Sequence, residues 1–473
     1  AVIFLKRSLR FVVTQACKVL VDYLANNGFD TFFLVTGGAI APTVDYIGTK
    51  KGIQYFCFQH EQSAAMAAEA YYRATGKVVV VLSTSGPGAQ NLLNGLCGCW
   101  FESIPCIFIT GQVSTYESSD SIEKDPRQLG FQETAVVEIF KPFTKYCSKV
   151  CSVDEVESTF ETAIEEMLKD RYGPVLIDIP VNIQTTDVAD FSDNSVKKPL
   201  PKIDDNIDSK IDELYQLIAQ SERPLFLLGN GIRLSNSIDK AKKLIEKTGY
   251  PFVVSWGGFD LLPHDHPGFM GDIGVYGSRG ANFAVQNCDL LIVLGSRLDT
   301  RQTGGDPKLF SRHSKKVMVD VDENEIFKGR GLVIDLPIVN DLGDFFDRLE
   351  EKNKYTKRIS SSWGFWLRDW KEKKFDSHSN TQTSLNAYKF LESLNNHLDP
   401  TDIIIPDEGG NLVWAMQSLK IKGSQRMFSN FGNSSMGYAL PAAIGAAIGS
   451  NNRVICIDGD GGFQMNLQEL QTV

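Results

Sequence analysis

Short runs of uninterrupted apolar residues alternate along this chain with stretches of helix length. FFLV (32 to 35), VVVVL (78 to 82), CIFIT (106 to 110) and PVLIDIP (174 to 180) are apolar at successive rather than alternate positions, broken only by Thr110 and Asp178. That is the pattern of strands covered on both faces, and the intervening stretches, such as EQSAAMAAEAYYRAT, have the length of the covering helices. A parallel sheet follows. The rhythm returns in LFLLGNG, FVVSW, DLLIVLG and KVMVDVD, and begins a third time with DIIIP and VICIDGDG. The predicted fold class is α/β, with three consecutive parallel-sheet domains, the last incomplete. Two segments interrupt it: VADFSDNSVKKPLPKIDDN (188 to 206), polar and proline-containing as linkers are, and a highly charged stretch from about Glu350 to Ser384. In the second, Trp363, Phe365, Trp366 and Trp370 would let a helix pack against a domain. The expected division is therefore 12 to 187, 207 to 349 and 385 to 473.

Composition narrows the function classes. At about 150 residues per domain, 473 residues suffice for three cores. The formal charge is -10, with 48 Lys+Arg against 58 Asp+Glu, and no basic run marks a nucleic-acid or anionic-membrane face. The nine cysteines form no Cys-x-x-Cys pair, and most lie in apolar runs, reading as buried reduced thiols of a cytoplasmic protein. No apolar stretch approaches the roughly 20 residues that span a bilayer, and the opening AVIFLKRSLRFVV has no cleavage pattern of a signal peptide. The chain opens on Ala1 rather than methionine and stops at Val473, which reads as a fragment.

Open parallel sheets bind ligands beyond the carboxyl ends of their strands. In VICIDGDGGFQMNLQEL that position holds Asp458 and Asp460 with Gly459 and Gly461, a carboxylate beside a tight turn, suited to Mg²⁺ and a diphosphate. Many sheets end in Asp-Gly turns, so the motif alone is equally compatible with a structural turn. Earlier, VVVVL runs into STSGPGAQNLLNGL, where Gly86 and Gly88 allow close approach before a helix opening near Ala89. Upstream, Glu61 stands at the start of a helix lined by Ala and Met. A carboxylate among small apolar side chains is desolvated and reluctant to ionise, the state a proton-shuttling acid needs, although an acidic first turn also simply caps a helix.

Many motifs in one order resemble the thiamine-diphosphate-dependent acetolactate synthase family. FLVTGGAI, HEQSAAMAAEAYYRATGK, STSGPGAQN, IPCIFITGQV, RQLGFQETAVV, KPFTKY and YGPVLIDIPVNIQ are similar to its pyrimidine-binding domain. SERPLFLLGNGIR, GVYGSRGANFAVQNCDLLIVLGSRLDTRQTG and KVMVDVDENEI are similar to its central FAD-binding domain, and SSMGYALPAAIGAAIG with ICIDGDGGFQMNLQEL to its pyrophosphate domain. The resemblance runs from about residue 15 to the end and is weakest between 350 and 400.

The resemblance implies an enzyme that decarboxylates pyruvate and transfers the two-carbon unit to a second 2-keto acid. Glu61 matches the glutamate that hydrogen-bonds the aminopyrimidine ring, so that the ring's amino group can take the proton from the thiazolium carbon. Asp460 matches the Mg²⁺ ligand, Gly459 and Gly461 the close approach of backbone to the diphosphate, and Met436 the residue that wedges thiamine diphosphate into its bent form. Phe131 and Gln132 match the family's FQE, near the entry of the second keto acid, where Gln132 would hydrogen-bond a developing alkoxide or cap a helix. For FAD the matching positions are Gly229 and Gly231, the turn from Gly274 to Arg279, Arg297 and Arg301, and Asp320 and Asp322. A homodimer or homotetramer with shared active sites and a small regulatory subunit are the implied partners.

Several positions depart from the pattern. DEGGNLVWAMQ stands where biosynthetic members carry Val-Gly-Gln-His-Gln, so Glu408 and Asn411 replace cofactor-edge residues. Thr300 replaces an Asp, Lys141 an Arg, and Ser434 a common Gly. These changes are closer to a branch found in polysaccharide and branched-sugar biosynthesis, in which a keto-sugar or aldehyde accepts the two-carbon unit. An Asn that also ligates Mg²⁺ in the family lies beyond Val473, so the chain as written is expected to hold the metal diphosphate poorly. A non-catalytic nucleotide-binding assembly is the reading from another class, and Glu61 argues against it.

Overall fold

The computed structural model describes residues 14–124, 126–189, 191, 199–354, 359–373 and 386–473. Contacts divide the chain into two compact units: Ala1–Pro199 with Leu440–Asn451 and Gln464–Val473, and Leu200–Ala439 with Asn452–Phe463. Among the described residues no helix is long and apolar enough to cross a membrane.

The first unit is built on a parallel sheet of β1 (Thr31–Leu34), β2 (Gln54–Cys57), β3 (Val80–Ser83), β4 (Ile107–Gln112), β5 (Tyr146–Lys149) and β6 (Val175–Pro180), in the order β2-β1-β3-β4-β6-β5. The apolar runs have the predicted cause. Phe32, Leu34, Val80, Leu82, Ile107 and Ile109 face one core, while Phe33, Val81 and Phe108 face another on the opposite side. The second core holds Ala64, Ala65, Ala67 and Ala68 of helix Glu61–Thr75 against Leu440 and Ile444 of helix Ala439–Gly449. A Cβ on Gly445 would collide with the carbonyl of Ala67, so small residues on both helices permit backbone contact. The polar stretch 188 to 206 begins as a strand, since Asp187–Val188 pairs antiparallel with Thr14–Gln15. Residues 190 and 192–198 of that stretch lie outside the described residues, as do 12 and 13 at the start of the expected first domain.

In the second unit β7 (Pro224–Leu228), β8 (Phe252–Val254), β9 (Phe269–Asp272), β10 (Leu290–Leu294), β11 (Lys315–Asp320) and β12 (Leu336–Val339) form a parallel sheet in the order β9-β8-β7-β10-β11-β12. A third parallel sheet of β13 (Ile403–Pro406), β14 (Arg426–Met427) and β15 (Val454–Ile457) is ordered β14-β13-β15. Both share one apolar core, in which Phe226, Phe252 and Leu290 join Ile404, Leu412 and Met427. A buried carboxylate also ties them. Asp260 accepts from Arg233 Nη2 (2.7 Å), Arg426 Nε (2.7 Å) and the amide of Met427 (3.0 Å). Burial opposes its ionisation, but the two guanidinium charges outweigh burial and hold its pKa to about 2.

The tryptophan-rich stretch is the helix Ser361–Glu372, which buries Trp363 while Phe365 and Trp366 stay exposed; residues 374–385 of the charged segment lie outside the described residues. Cys17, Cys97, Cys99, Cys106 and Cys288 are buried free thiols, whereas Cys57, Cys151 and Cys456 are exposed, against the expectation of burial for Cys456 in its apolar run.

Candidate cofactor site and family

In the first unit the site is assembled where β3 ends. Gly86 has φ +58, and the helix after it opens at Pro87, two residues before the expected Ala89, because proline at the first helical position needs no amide partner and has its φ preset. Glu61 is itself the first residue of its helix, with His60 as the cap, its ring nitrogen accepting from Gln62 N (3.1 Å). A Cβ on Gly88 would stand 3.2 Å from Glu61 Oε1 and 2.7 Å from Thr84 Cγ2, so the carboxylate lies directly over the glycine turn. Glu61 is buried, though not among apolar neighbours alone: Asn91 Nδ2 donates to Oε2 (2.9 Å).

Gln132 joins the same cluster. Its Cβ and carbonyl would each lie 3.0 Å from a Cβ on Gly86. It is no helix cap, since helix Val136–Phe140 is preceded by Ala135; its backbone is left-handed, φ +64. The segments on either side of it are bonded to buried or half-buried groups. Gln112 Nε2 donates to Thr134 O (3.0 Å) and to Asp178 Oδ2 (2.9 Å), and Thr110 Oγ1 donates to Asp178 Oδ1 (2.6 Å). Burial pushes Asp178 up to about 7 against those bonds. Glu133 accepts from the amide and hydroxyl of Ser119 (2.6 and 2.7 Å), the hydroxyl of Ser118 (3.0 Å) and the amides of Leu129 (3.1 Å) and Gly130 (3.2 Å). Burial pushes its pKa up, but the donors at Ser119, Leu129 and Gly130 outweigh it and bring the value to about 2. Phe131 stays exposed beside them. Segment Gln464–Val473, in the same unit, packs at the entry to the Glu61 helix: Ser63 Oγ donates to Asn466 Oδ1 (3.0 Å) and Gln59 N to Glu469 (3.2 Å). Asn91, Glu133, Asn466 and Glu469 lie within the quoted motifs, but nothing in the sequence singled them out.

In the second unit the carboxyl ends of β13 and β15 bring other residues together. Asp407, following β13, accepts from the amides of Gly437 and Ala439 (3.0 Å each). Asp458, following β15, has both carboxylate oxygens buried beside the Asp407 carboxylate. Burial and the adjacent Asp407 carboxylate push its pKa well above the usual range, and a Cβ on Gly462 would collide with both acids. Asp460 starts helix Asp460–Met465 and is exposed, with Gly461 N donating to Oδ1 (3.0 Å). Space is open around it. A Cβ on Gly459 would meet only Asn411 Oδ1 at 3.7 Å, and one on Gly461 only Met436 Cε at 3.3 Å. Met436 is 51% exposed, so it is not a core methionine. Asn411 Nδ2 donates to the carbonyls of Asp407 (2.8 Å) and Ile457 (3.3 Å), joining the two strand ends. Among the described residues no three His, Cys, Asp or Glu side chains cluster to hold a metal. A single exposed carboxylate with room around it, as at Asp460, fits Mg²⁺, which takes one or two carboxylates and draws its other ligands from phosphate and water.

The nucleotide candidates divide. A Cβ on Gly229 would collide with Gly295 O, and one on Gly231 would stand 2.7 Å from Gly295 Cα, so both glycines serve the close passage of the β7 and β10 ends. Gly274, at φ +114, packs on the backbone of Arg301, where Val275 N donates to Arg301 O (2.9 Å). The Arg301 guanidinium lies 4.8 Å from the Trp256 ring centroid, and its Nη1 is buried without an acceptor among the described residues. Trp256 in turn donates to Asp272 (3.0 Å) and stacks on Tyr276. Arg279 opens helix Arg279–Asn287, and Arg297 pairs with Asp299 at 3.5 Å. Asp320 accepts from Asp322 N (3.0 Å), and Asp322 caps Glu323–Phe327 through Asn324 N. A buried guanidinium N–H with no acceptor fits a phosphate-bearing ligand such as FAD.

Comparison with known proteins decides the family. Residues 14–139 match the thiamine pyrophosphate enzyme N-terminal TPP binding domain, 211–349 its central domain, and 407–473 its C-terminal TPP binding domain. The acetolactate synthase isozyme 2 large subunit of Escherichia coli (strain K12) is 32% identical over 462 residues, covering 96% of this chain and 79% of the relative. This chain belongs to the acetolactate synthase large-subunit family. The Lactococcus lactis large subunit is likewise 32% identical, over 97% of this chain and 78% of its own length, and the chloroplastic acetolactate synthase of Arabidopsis thaliana 32% identical over 98% and 69%. The chain is thus an α/β enzyme of the thiamine-diphosphate-dependent class, as its sequence motifs implied.

Proposed function

We propose that the protein is a carboligase that decarboxylates pyruvate and transfers the two-carbon unit to a second 2-keto acid. The observation that carries this is Glu61, a buried carboxylate over a glycine turn with one amide donor, which a structural helix start does not require. When bound, thiamine diphosphate supplies the carbon nucleophile and the electron sink for loss of CO₂. Glu61 would hydrogen-bond the aminopyrimidine ring, with Asn91 fixing its orientation, and Gly86 and Gly88 would admit the cofactor. Gln132 hydrogen-bonds the acceptor's carbonyl oxygen. Met436 would pack against the bound cofactor, Asp460 would hold Mg²⁺, and Gly459 and Gly461 would leave room for the diphosphate. FAD is a structural ligand of Arg301, Arg279, Arg297, Gly274, Asp320 and Asp322, with Gly229 and Gly231 shaping the turn.

The domain division is 12 to 187, 207 to 349 and 385 to 473, the assembly a homodimer or homotetramer with shared sites, and the location cytoplasmic. That the relatives are named large subunits supports a small regulatory subunit as partner. A keto-sugar or aldehyde acceptor is the second reading, favoured by Glu408, a buried carboxylate on the strand end next to Asn411, which would repel a second carboxylate. The test is product analysis with thiamine diphosphate and Mg²⁺, first with pyruvate alone and then with 2-ketobutyrate or a ketose. A 2-aceto-2-hydroxy acid is expected; CO₂ release without any ligated product overturns carboligation, and ligation to the ketose alone selects the second reading.

A further inference from the structure

Two of the positions that depart from the family pattern, Glu408 and Ser434, touch one another. Ser434 Oγ donates to Glu408 Oε2 at 2.7 Å, and Ser429 Oγ reaches Oε1 at 3.4 Å. Ser434 occupies a left-handed conformation, φ +60, which glycine adopts without strain and serine does not. Its amide donates to Asn430 O (2.8 Å), so residues 430 to 434 close a tight turn whose two flanks both end on Glu408. Two residues later comes Met436. Immediately beyond it, the amides of Gly437 and Ala439 are held by Asp407, the neighbour of Glu408 at the end of β13. The Met436 loop is therefore gripped on both sides by consecutive carboxylates.

We infer that Glu408 is a positioning residue for the cofactor: it stabilises the strained turn at Ser434 and so fixes Met436, a support that glycine at position 434 would not need. The inference rests on the proposed role of Met436. It makes Glu408 and Ser434 an interdependent pair, with the carboxylate needed because the serine is there.

The test compares Glu408→Ala, Ser434→Gly and the double variant of the full chain. Thiamine diphosphate affinity is read by tryptophan fluorescence at fixed Mg²⁺, and melting of the cofactor-free protein is followed in parallel. Glu408→Ala alone is expected to weaken thiamine diphosphate about tenfold, the worth of a hydrogen bond to a charged group. In the Ser434→Gly background the same change is expected to cost less than about threefold, and Glu408→Gln, which keeps an acceptor, to recover much of the loss. Equal effects in the two backgrounds, or affinity within about twofold of the parent for Glu408→Ala, overturn the inference. If Glu408→Ala does not fold, Glu408→Gln is compared in the same two backgrounds, with equal effects again overturning it. Met436→Ala separates the underlying reading: unchanged affinity there removes Met436 as the wedge, whereas coupling between Glu408 and Ser434 is still read in the melting of the cofactor-free protein.

Discussion

Replacing Asp260 by Asn tests the clamp that joins the second and third sheets. A fall from the ordinary aspartate value of 3.8 to about 2 corresponds to stability on the order of 2 kcal/mol from this group. Removing one partner of a buried ion pair costs about 3–5 kcal/mol, because the opposite charge is left uncompensated. Arg233 and Arg426 are 21% and 18% exposed, so water takes up part of that charge, and a loss of about 3 kcal/mol is expected. Five of the six tryptophans lie in the same unit as Asp260, so guanidinium unfolding followed by tryptophan fluorescence reports mainly on that unit. The pH dependence has a definite sign. A depressed carboxylate pKa contributes stability that is fully present above pH 4 and is lost as pH falls toward 2. The gap between parent and Asp260→Asn should therefore be constant from pH 5 to 8 and narrow on acidification. A loss below about 1 kcal/mol, or a gap that widens in acid, refutes the clamp.

Glu61→Gln should lower carboligation by about 10²–10⁴-fold, the usual worth of a positioned proton transfer, with circular dichroism unchanged; near-parental turnover removes Glu61 from the mechanism. Asp178 titrates in the opposite sense to Asp260. With its folded pKa raised to about 7, it makes stability fall as pH rises from about 4 to 7. Asp178→Asn keeps both contacts if the Thr110 hydroxyl turns to accept, and should abolish that slope in melting curves; an unchanged slope counts against it. Gly445→Ala drives a methyl group into the Ala67 carbonyl and should cost at least about 1–3 kcal/mol in thermal unfolding, with parental stability showing that the two helices are not in backbone contact. If FAD binds at Arg301, purified protein is yellow and its melting temperature rises with added FAD, while Arg301→Ala loses both; a colourless protein indifferent to FAD sinks the assignment.

The architecture was legible because parallel strands buried on both faces leave unbroken apolar runs, as in VVVVL and DLLIVLG. Glu61 was singled out through the motif HEQSAAMAAEAYYRATGK, because an acid opening an alanine-rich helix reads equally well as a cap on its own. Its partner Asn91 was not, since an amide in a glycine- and alanine-rich stretch looks like any surface residue until the helices fold together. Glu469 reaches Gln59 across 410 positions, a separation over which no local pattern carries information. Gly229 and Gly231 illustrate an ambiguity, because a glycine that admits another strand's backbone reads the same as one that admits a phosphate. Gln132 was named through the FQE motif, but its left-handed backbone was not legible, because glutamine has no preference for positive φ.

Glu133 draws the segments at Ser119 and at Leu129–Gly130 onto a single carboxylate. With so many donors converging on one acceptor, none can leave without weakening the hold on the others. The amide protons of Ser119, Leu129 and Gly130 should then exchange with solvent at one common rate, as a single cooperative opening, and a protease would find that stretch either wholly closed or wholly accessible.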